Sequence, residues 1–175
     1  QIGNKIMLNW KSKGENRPGY FSIELIKAIS PLFFDDKKRS TCILSAASIL
    51  KILLPERQIN TKIYNSLEKM LKEFESKNWI QSYIYWEQSL IKELGFEIDL
   101  MKINNSNVEF SNLVEIDNKS FKVPKMLFKK NIKGNLNHDI KEALAFNKSL
   151  LLEYFIVPNK LKMPLSRNIL ESYYS

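Results

Sequence analysis

One cysteine, Cys42, and one histidine, His138, are all that the 175 residues contain of these two side chains. A lone cysteine cannot close an intramolecular disulfide, and one Cys with one His falls short of the usual four-ligand Cys/His zinc site. A Cys–His catalytic pair would require these two residues, distant in sequence, to meet. Cys42 lies inside the apolar segment CILSAASILKILL, which suits a small buried side chain. Glycine is also scarce. Gly3, Gly14, Gly19, Gly95 and Gly134 form neither G-x-x-x-x-G-K nor G-x-G-x-x-G, so no phosphate-cradling loop is present. No apolar run approaches the ~20 residues that cross a bilayer. The opening stretch QIGNKIMLNWKSK lacks the uninterrupted apolar core of a signal peptide. These absences lead to the expectation of a cytoplasmic protein with no membrane partner and no metal or other cofactor.

What is present is enough for a folded core: 44% of residues are hydrophobic and 26% charged, with six prolines. The net charge of +8 is unevenly spread. Residues 1–58 carry ten Lys/Arg against five Asp/Glu, residues 59–100 five against seven, and residues 101–175 twelve against seven. Two basic ends around an acidic middle point to an anionic partner such as nucleic acid. A second reading stands beside it. Only four of the 27 basic residues are Arg, and the chain is crowded with Lys, Asn and Ile, as an AT-rich coding sequence would produce by drift.

Residues 1–29 read as two strands. Ile6, Leu8 and Trp10 alternate with Met7 and Asn9, Phe21, Ile23 and Leu25 alternate with Ser22 and Glu24, and Gly14, Pro18 and Gly19 supply turn chemistry between them. Two strands alone are marginally stable, so such a pair is expected to keep an open edge. The period then changes to that of helices. Asp35 or Asp36 can cap a segment ending near Leu54, before Pro55. A second helix from Asn60 carries its apolar stripe through Ile63, Leu67, Met70, Leu71 and Phe74. A third runs from Trp79 to Leu94, with Gly95 placed to end it. Short connections make the three antiparallel neighbours, with Ile49, Leu53, Leu67, Leu71, Tyr83, Leu90 and Leu94 in a shared core. Between residues 100 and 124 the period is lost, and alternation around Asp117-Asn118 suits a small hairpin. Helix returns near Asp139, which has capping-box spacing to Glu142, and closes at Pro158. A last short helix follows Pro164.

The residues offer no catalytic constellation. His138 stands beside the expected helix start with no partner, and Glu87 and Glu93, six apart on one helix, do not share a face. Trp79, Tyr83 and Trp86 do share one, which packing against neighbouring helices explains better than base stacking. Trp10 and Tyr20, beside Lys5, Lys11, Lys13 and Arg17, form the aromatic and cationic mixture that single-stranded nucleic acid uses. A solvated hairpin tip would also be lysine-rich.

Read in order, these segments resemble RecO, a family of bacterial recombination mediators. Gly3, Asn4, Trp10 and Lys11, then Gly19, Tyr20, Phe21 and Glu24, are similar to the end of that family's N-terminal OB-fold. An Ala/Leu-rich helix ending in LLPER, then IYNSL, follows the family's helical run, and Trp86, Glu87, Leu90, Leu94, Gly95, Phe96 and Leu100 resemble its signature. LLLEYFIVP and KLKMPLSRNILE are similar to the closing helices of alphaproteobacterial members.

The resemblance implies a mainly α fold: a remnant of an OB-fold over 1–30, and a helical domain over 31–175 with a hairpin insertion near 100–124. The chain is then expected to lack its true N-terminus. Residues 100–124 hold no cysteine, so the four-cysteine zinc module of many relatives is not expected. The implied role is non-enzymatic: binding single- and double-stranded DNA at the nucleoid, annealing strands in the RecF pathway, and working with RecR and the acidic C-terminal tail of single-strand-binding protein. The cations expected to meet DNA are Lys5, Lys11, Lys13, Arg17, Lys37, Lys38 and Arg39. The competing expectation is a helical scaffold that binds only proteins.

Overall fold

The computed structural model describes residues 1–14, 17–96, 113–116, 119–127 and 136–175. The alternating opening segment forms β1 (Lys5–Ser12) and β2 (Gly19–Lys27), paired antiparallel. The register sets Ile6, Leu8 and Trp10 opposite Leu25, Ile23 and Phe21. One face of the hairpin is therefore an apolar ladder, and the other carries Met7 with Glu24, Asn9 with Ser22 and Lys11 with Tyr20. The ladder is not covered: exposure runs from 42% at Ile6 to 64% at Ile23. Among the described residues the sheet has two strands, so both edges keep unpaired backbone groups, as the sequence led one to expect.

The root of the hairpin is tied to the helices. Asn4 Oδ1 accepts from the amides of Ile29 (2.9 Å) and Ser30 (3.0 Å), and Ser30 Oγ donates to the Ile2 carbonyl. Gly3, at φ +93°, presses its backbone onto Ile43, where a Cβ would clash.

After a 3-10 turn (Ser30–Phe33) come α1 (Lys37–Leu53), α2 (Thr61–Lys72) and α3 (Trp79–Glu93). Asp36 caps α1, its Oδ1 accepting from the Arg39 amide at 3.0 Å. At the end of α3 the amides of Gly95 and Phe96 reach back to the carbonyls of Lys92 (2.9 Å) and Ile91 (3.1 Å), a Schellman closure in which Gly95 takes φ +97°. Of the seven expected core residues, Ile49, Tyr83 and Leu90 are buried, and Leu53, Leu67, Leu71 and Leu94 are partly buried against that core. Trp79, Tyr83 and Trp86 are buried too.

Strands β3 (Leu113–Ile116) and β4 (Lys119–Lys122) pair antiparallel on either side of Asp117-Asn118, at the expected hairpin. The rest of the expected irregular stretch, 100–112, lies outside the described residues, as do Asp117 and Asn118 themselves. Helix α4 spans Leu136–Leu151, so Asp139 lies inside the first turn instead of capping it, and Glu142 accepts from Lys122 Nζ at 3.0 Å. The helix continues as a π-turn over Leu152–Ile156 before Pro158, and α5 (Leu165–Ser172) follows Pro164. The closest helix pairings are α1 with α5, α2 with α3, and α3 with α4. Chain order alone does not reveal the first of these.

Candidate nucleic-acid interface

The hairpin lifts three of the expected cations away from the helices. Its tip is tightened by Ser12 Oγ, which donates to the Gly14 carbonyl (2.6 Å), and by the Arg17 amide, which donates to the same oxygen at 3.2 Å. Lys11, Lys13 and Arg17 are exposed there, with no ion partner among the described residues. Beside them stand Trp10 and Phe21, ring centroids 4.9 Å apart, and Tyr20, which is exposed opposite Lys11. Cations interleaved with exposed rings can meet both phosphates and bases of a single strand.

Lys5 is placed differently. At the hairpin root its ammonium pairs with Glu68 on α2 and lies 5.9 Å from the Tyr64 ring centroid. The hydrogen bond to Glu68 raises the Lys5 pKa and lowers that of Glu68.

The three adjacent cations at the start of α1 separate into distinct roles. Arg39 turns inward: Nε donates to the Phe74 carbonyl (2.7 Å), Nη2 to the Ser76 carbonyl (3.2 Å), and Nη1 pairs with Asp36. Its guanidinium also sits 5.3 Å from the Trp79 ring centroid. Arg39 thus braces α1 against the α2–α3 connection, and local pairing accounts for a cation at this unfavourable end of a helix. Lys38 extends over Tyr174 (4.7 Å) and Tyr173 (5.9 Å) at the end of α5. Burial pushes the Tyr174 phenol up to about 12. Lys37 is exposed without an ion partner among the described residues.

Sequence reasoning missed a polar cluster at the centre of the helices. Arg167 Nε donates to Glu87 Oε1 at 2.6 Å and Nη2 to Oε2 at 3.1 Å, with both side chains fully buried. Tyr83 Oη bridges the Glu87 carboxylate and Ser45 Oγ, at 2.7 Å each, and Asn147 Nδ2 reaches Glu87 at 3.2 Å. One signal was available: Glu87 follows Tyr83 by one turn and so shares its buried face. Having no solvent access, the cluster holds helices together and presents nothing to a ligand. Among the described residues no three His, Cys, Asp or Glu side chains are gathered as a metal site.

A groove of about 490 Å³ opens between the hairpin root, α1 and α2. Ile29, Ile43, Ala47, Leu50, Leu67 and Leu71 give it an apolar floor, and Lys5, Lys27, Lys72, Glu68 and Glu75 stand among its polar lining residues.

Comparison with known proteins finds one consistent likeness. Residues 35–113, from the turn before α1 to the first residue of β3, match the sequence profile described as the C-terminal part of recombination protein O. The DNA repair protein RecO of Ehrlichia chaffeensis is 35% identical over 61% of this chain and 46% of its own length. That of Wolbachia pipientis from Culex pipiens is 26% identical over the whole chain and 81% of the relative. What the chain is similar to, over these residues, is the RecO family. The chain spans about half the length of several RecO relatives that it matches, including the Paracoccus denitrificans protein, 29% identical over 57% of the chain and 41% of the relative. No solved structure matches. The matched residues include α1 to α3 with the Arg39 brace, while the exposed hairpin lies before them and α4 and α5 after them. Among the described residues no helix is long and apolar enough to cross a membrane.

Proposed function

We propose that this chain acts as a DNA-binding recombination mediator in the RecF pathway: it holds single- and double-stranded DNA by their backbones, anneals complementary strands, and works with RecR and the acidic tail of single-strand-binding protein. The observation that carries this reading is the projecting hairpin, where unpaired Lys11, Lys13 and Arg17 flank exposed Trp10, Tyr20 and Phe21. Such a surface neutralises phosphates and stacks bases without reading base edges, which is what annealing of arbitrary strands requires. Lys37 and Lys38 extend the basic surface at the start of α1, while Lys5 and Arg39 contribute chiefly through their internal partners. Residues 1–30 act in this proposal as part of an OB-fold and residues 31–175 as the helical domain. Its place of action is the nucleoid. The role is one of binding, with no reaction catalysed.

The basic-rimmed groove supports the second partner. An acidic peptide with an apolar end fits an apolar floor bordered by lysines.

Fluorescence anisotropy with labelled oligonucleotides tests the reading. Affinity is expected to fall steeply and linearly in log–log form with added salt, at a similar level for oligonucleotides of unrelated sequence. No binding, or binding insensitive to salt, would favour the protein-only scaffold.

A further inference from the structure

The polar lining of the groove holds more positive than negative charge around one carboxylate. Lys5 pairs with Glu68, Lys72 Nζ lies 3.8 Å from it one helical turn away, and Lys27 adds to the positive field that keeps its pKa low. The other carboxylate of the groove, Glu75, has no ion partner among the described residues. Glu68 therefore occupies the position in which an incoming acidic group would find its strongest counter-charges, directly beside the apolar floor formed by Leu67 and Leu71.

We propose that Glu68 is a resident surrogate for the ligand's carboxylate: in the free protein it holds Lys5 and Lys72, and an acidic, apolar-ended peptide enters the groove by exchanging with it. This rests on the groove being a peptide site, as argued above, and adds how that site is restrained. The exchange sets a threshold. A ligand with one weakly held carboxylate cannot displace Glu68, whereas a run of carboxylates meets Lys5, Lys27 and Lys72 together. The hairpin root stays anchored throughout, because Asn4 and Ser30 hold it independently of Lys5.

The test uses a fluorescein-labelled poly-aspartate peptide ending in Leu-Phe, titrated with the whole chain. Glu68→Gln is expected to bind it about two- to fivefold more tightly, the range of an exposed ion pair released from competition. Glu75→Gln should gain clearly less. In a Lys5→Ala background the gain from Glu68→Gln should shrink, since the competition runs through that lysine. A gain that persists undiminished without Lys5 overturns the exchange in favour of general charge. If Glu68→Gln gains nothing while Lys27→Ala and Lys72→Ala weaken binding, the surrogate role fails and the groove survives as a peptide site. If neither the unmodified chain nor Glu68→Gln binds the peptide, both readings fail. Circular dichroism melts of each variant separate these outcomes from loss of folding.

Discussion

Arg167 on α5 and Glu87 on α3 meet through two hydrogen bonds, 2.6 and 3.1 Å long, with neither side chain reaching solvent. The Arg167 guanidinium also donates to the Leu144 carbonyl at 2.7 Å, so one side chain joins α3, α4 and α5. Desolvation opposes its charge, but Glu87, with Tyr83 and Glu171 adding to it, holds the Arg167 pKa above its ordinary value.

Removing one partner of such a pair leaves the other charged and buried. Arg167→Ala is therefore expected to lower stability by ~3–5 kcal/mol in urea unfolding followed by circular dichroism. The double variant Glu87→Met with Arg167→Met should recover much of that loss, because no uncompensated charge remains. A double variant as unstable as the single one would mean that the lost hydrogen bonds, not the stranded charge, dominate.

Cys42 reports on the same region. Its thiol is fully buried, burial pushes its pKa well above 9.0, and the Glu87 charge pushes in the same direction against the opposing influence of Arg167. The thiolate is the reactive form. Labelling by DTNB at pH 8 should thus wait for opening of the helices and should speed up in Arg167→Ala. Immediate labelling of the unmodified chain would show that the α1 face is open in solution.

The elements were largely legible in the sequence because their signals are local. Asp36, Gly95 and Pro55 mark helix ends by conformational preference, and the alternation Ile6, Leu8, Trp10 states a strand directly. What stayed hidden depends on distant segments. Glu87 can be placed on the buried face of Tyr83, but its counter-charge Arg167 lies eighty residues later and no local pattern names it. Arg39 looks like one of three equivalent cations until the carbonyls of Phe74 and Ser76 arrive to accept its hydrogen bonds. The start of α4 was misplaced for a different reason. Asp139 and Glu142 have capping spacing, but a first turn also welcomes acidic residues inside it, and spacing cannot distinguish the two.

The hairpin root supplies a separable test. Asn4 Oδ1 accepts two amide protons, so Asn4→Ala strands both donors of Ile29 and Ser30, whereas Asn4→Asp keeps an acceptor. Hydrogen exchange should rise several-fold over 4–30 in Asn4→Ala, on the basis of ~0.5–1.5 kcal/mol per lost bond, and little in α3 or α4. Uniformly faster exchange across the chain would instead make the hairpin part of one cooperative unit.

Asp36 gives a pH signature. Partial burial would raise its carboxyl, but the Arg39 amide and guanidinium outweigh that and hold it below its ordinary 3.8. A depressed folded pKa contributes stability that is present above the unfolded value and is lost as pH falls through the folded one. Asp36→Asn should hence be less stable than the unmodified chain at pH 7, by at most about 1 kcal/mol for so exposed a pair, and the difference should vanish as pH drops below 3.8. A gap that persists at pH 2 would assign the effect to cap geometry and not to charge.

The division of labour among the cations gives the last prediction. If the hairpin tip meets phosphates, replacing Lys11, Lys13 and Arg17 together by alanine should make the salt dependence of single-strand binding shallower by about 2, at ~0.7 for each lost contact. Affinity should fall alike for unrelated sequences, and the helical unit should melt as before, since these side chains touch none of it. Arg39→Ala should behave in the opposite way. Its guanidinium satisfies two carbonyls and Asp36, so its loss is expected to cost ~1.5–3 kcal/mol of stability while leaving the salt slope of the folded protein unchanged. Lys37→Ala with Lys38→Ala tests the basic surface at the start of α1 without disturbing that brace. A shallower slope in this pair alone, with the hairpin variant unchanged, would move the DNA path from the strands to the α1–α5 end of the helices, where Lys38 already lies over Tyr174.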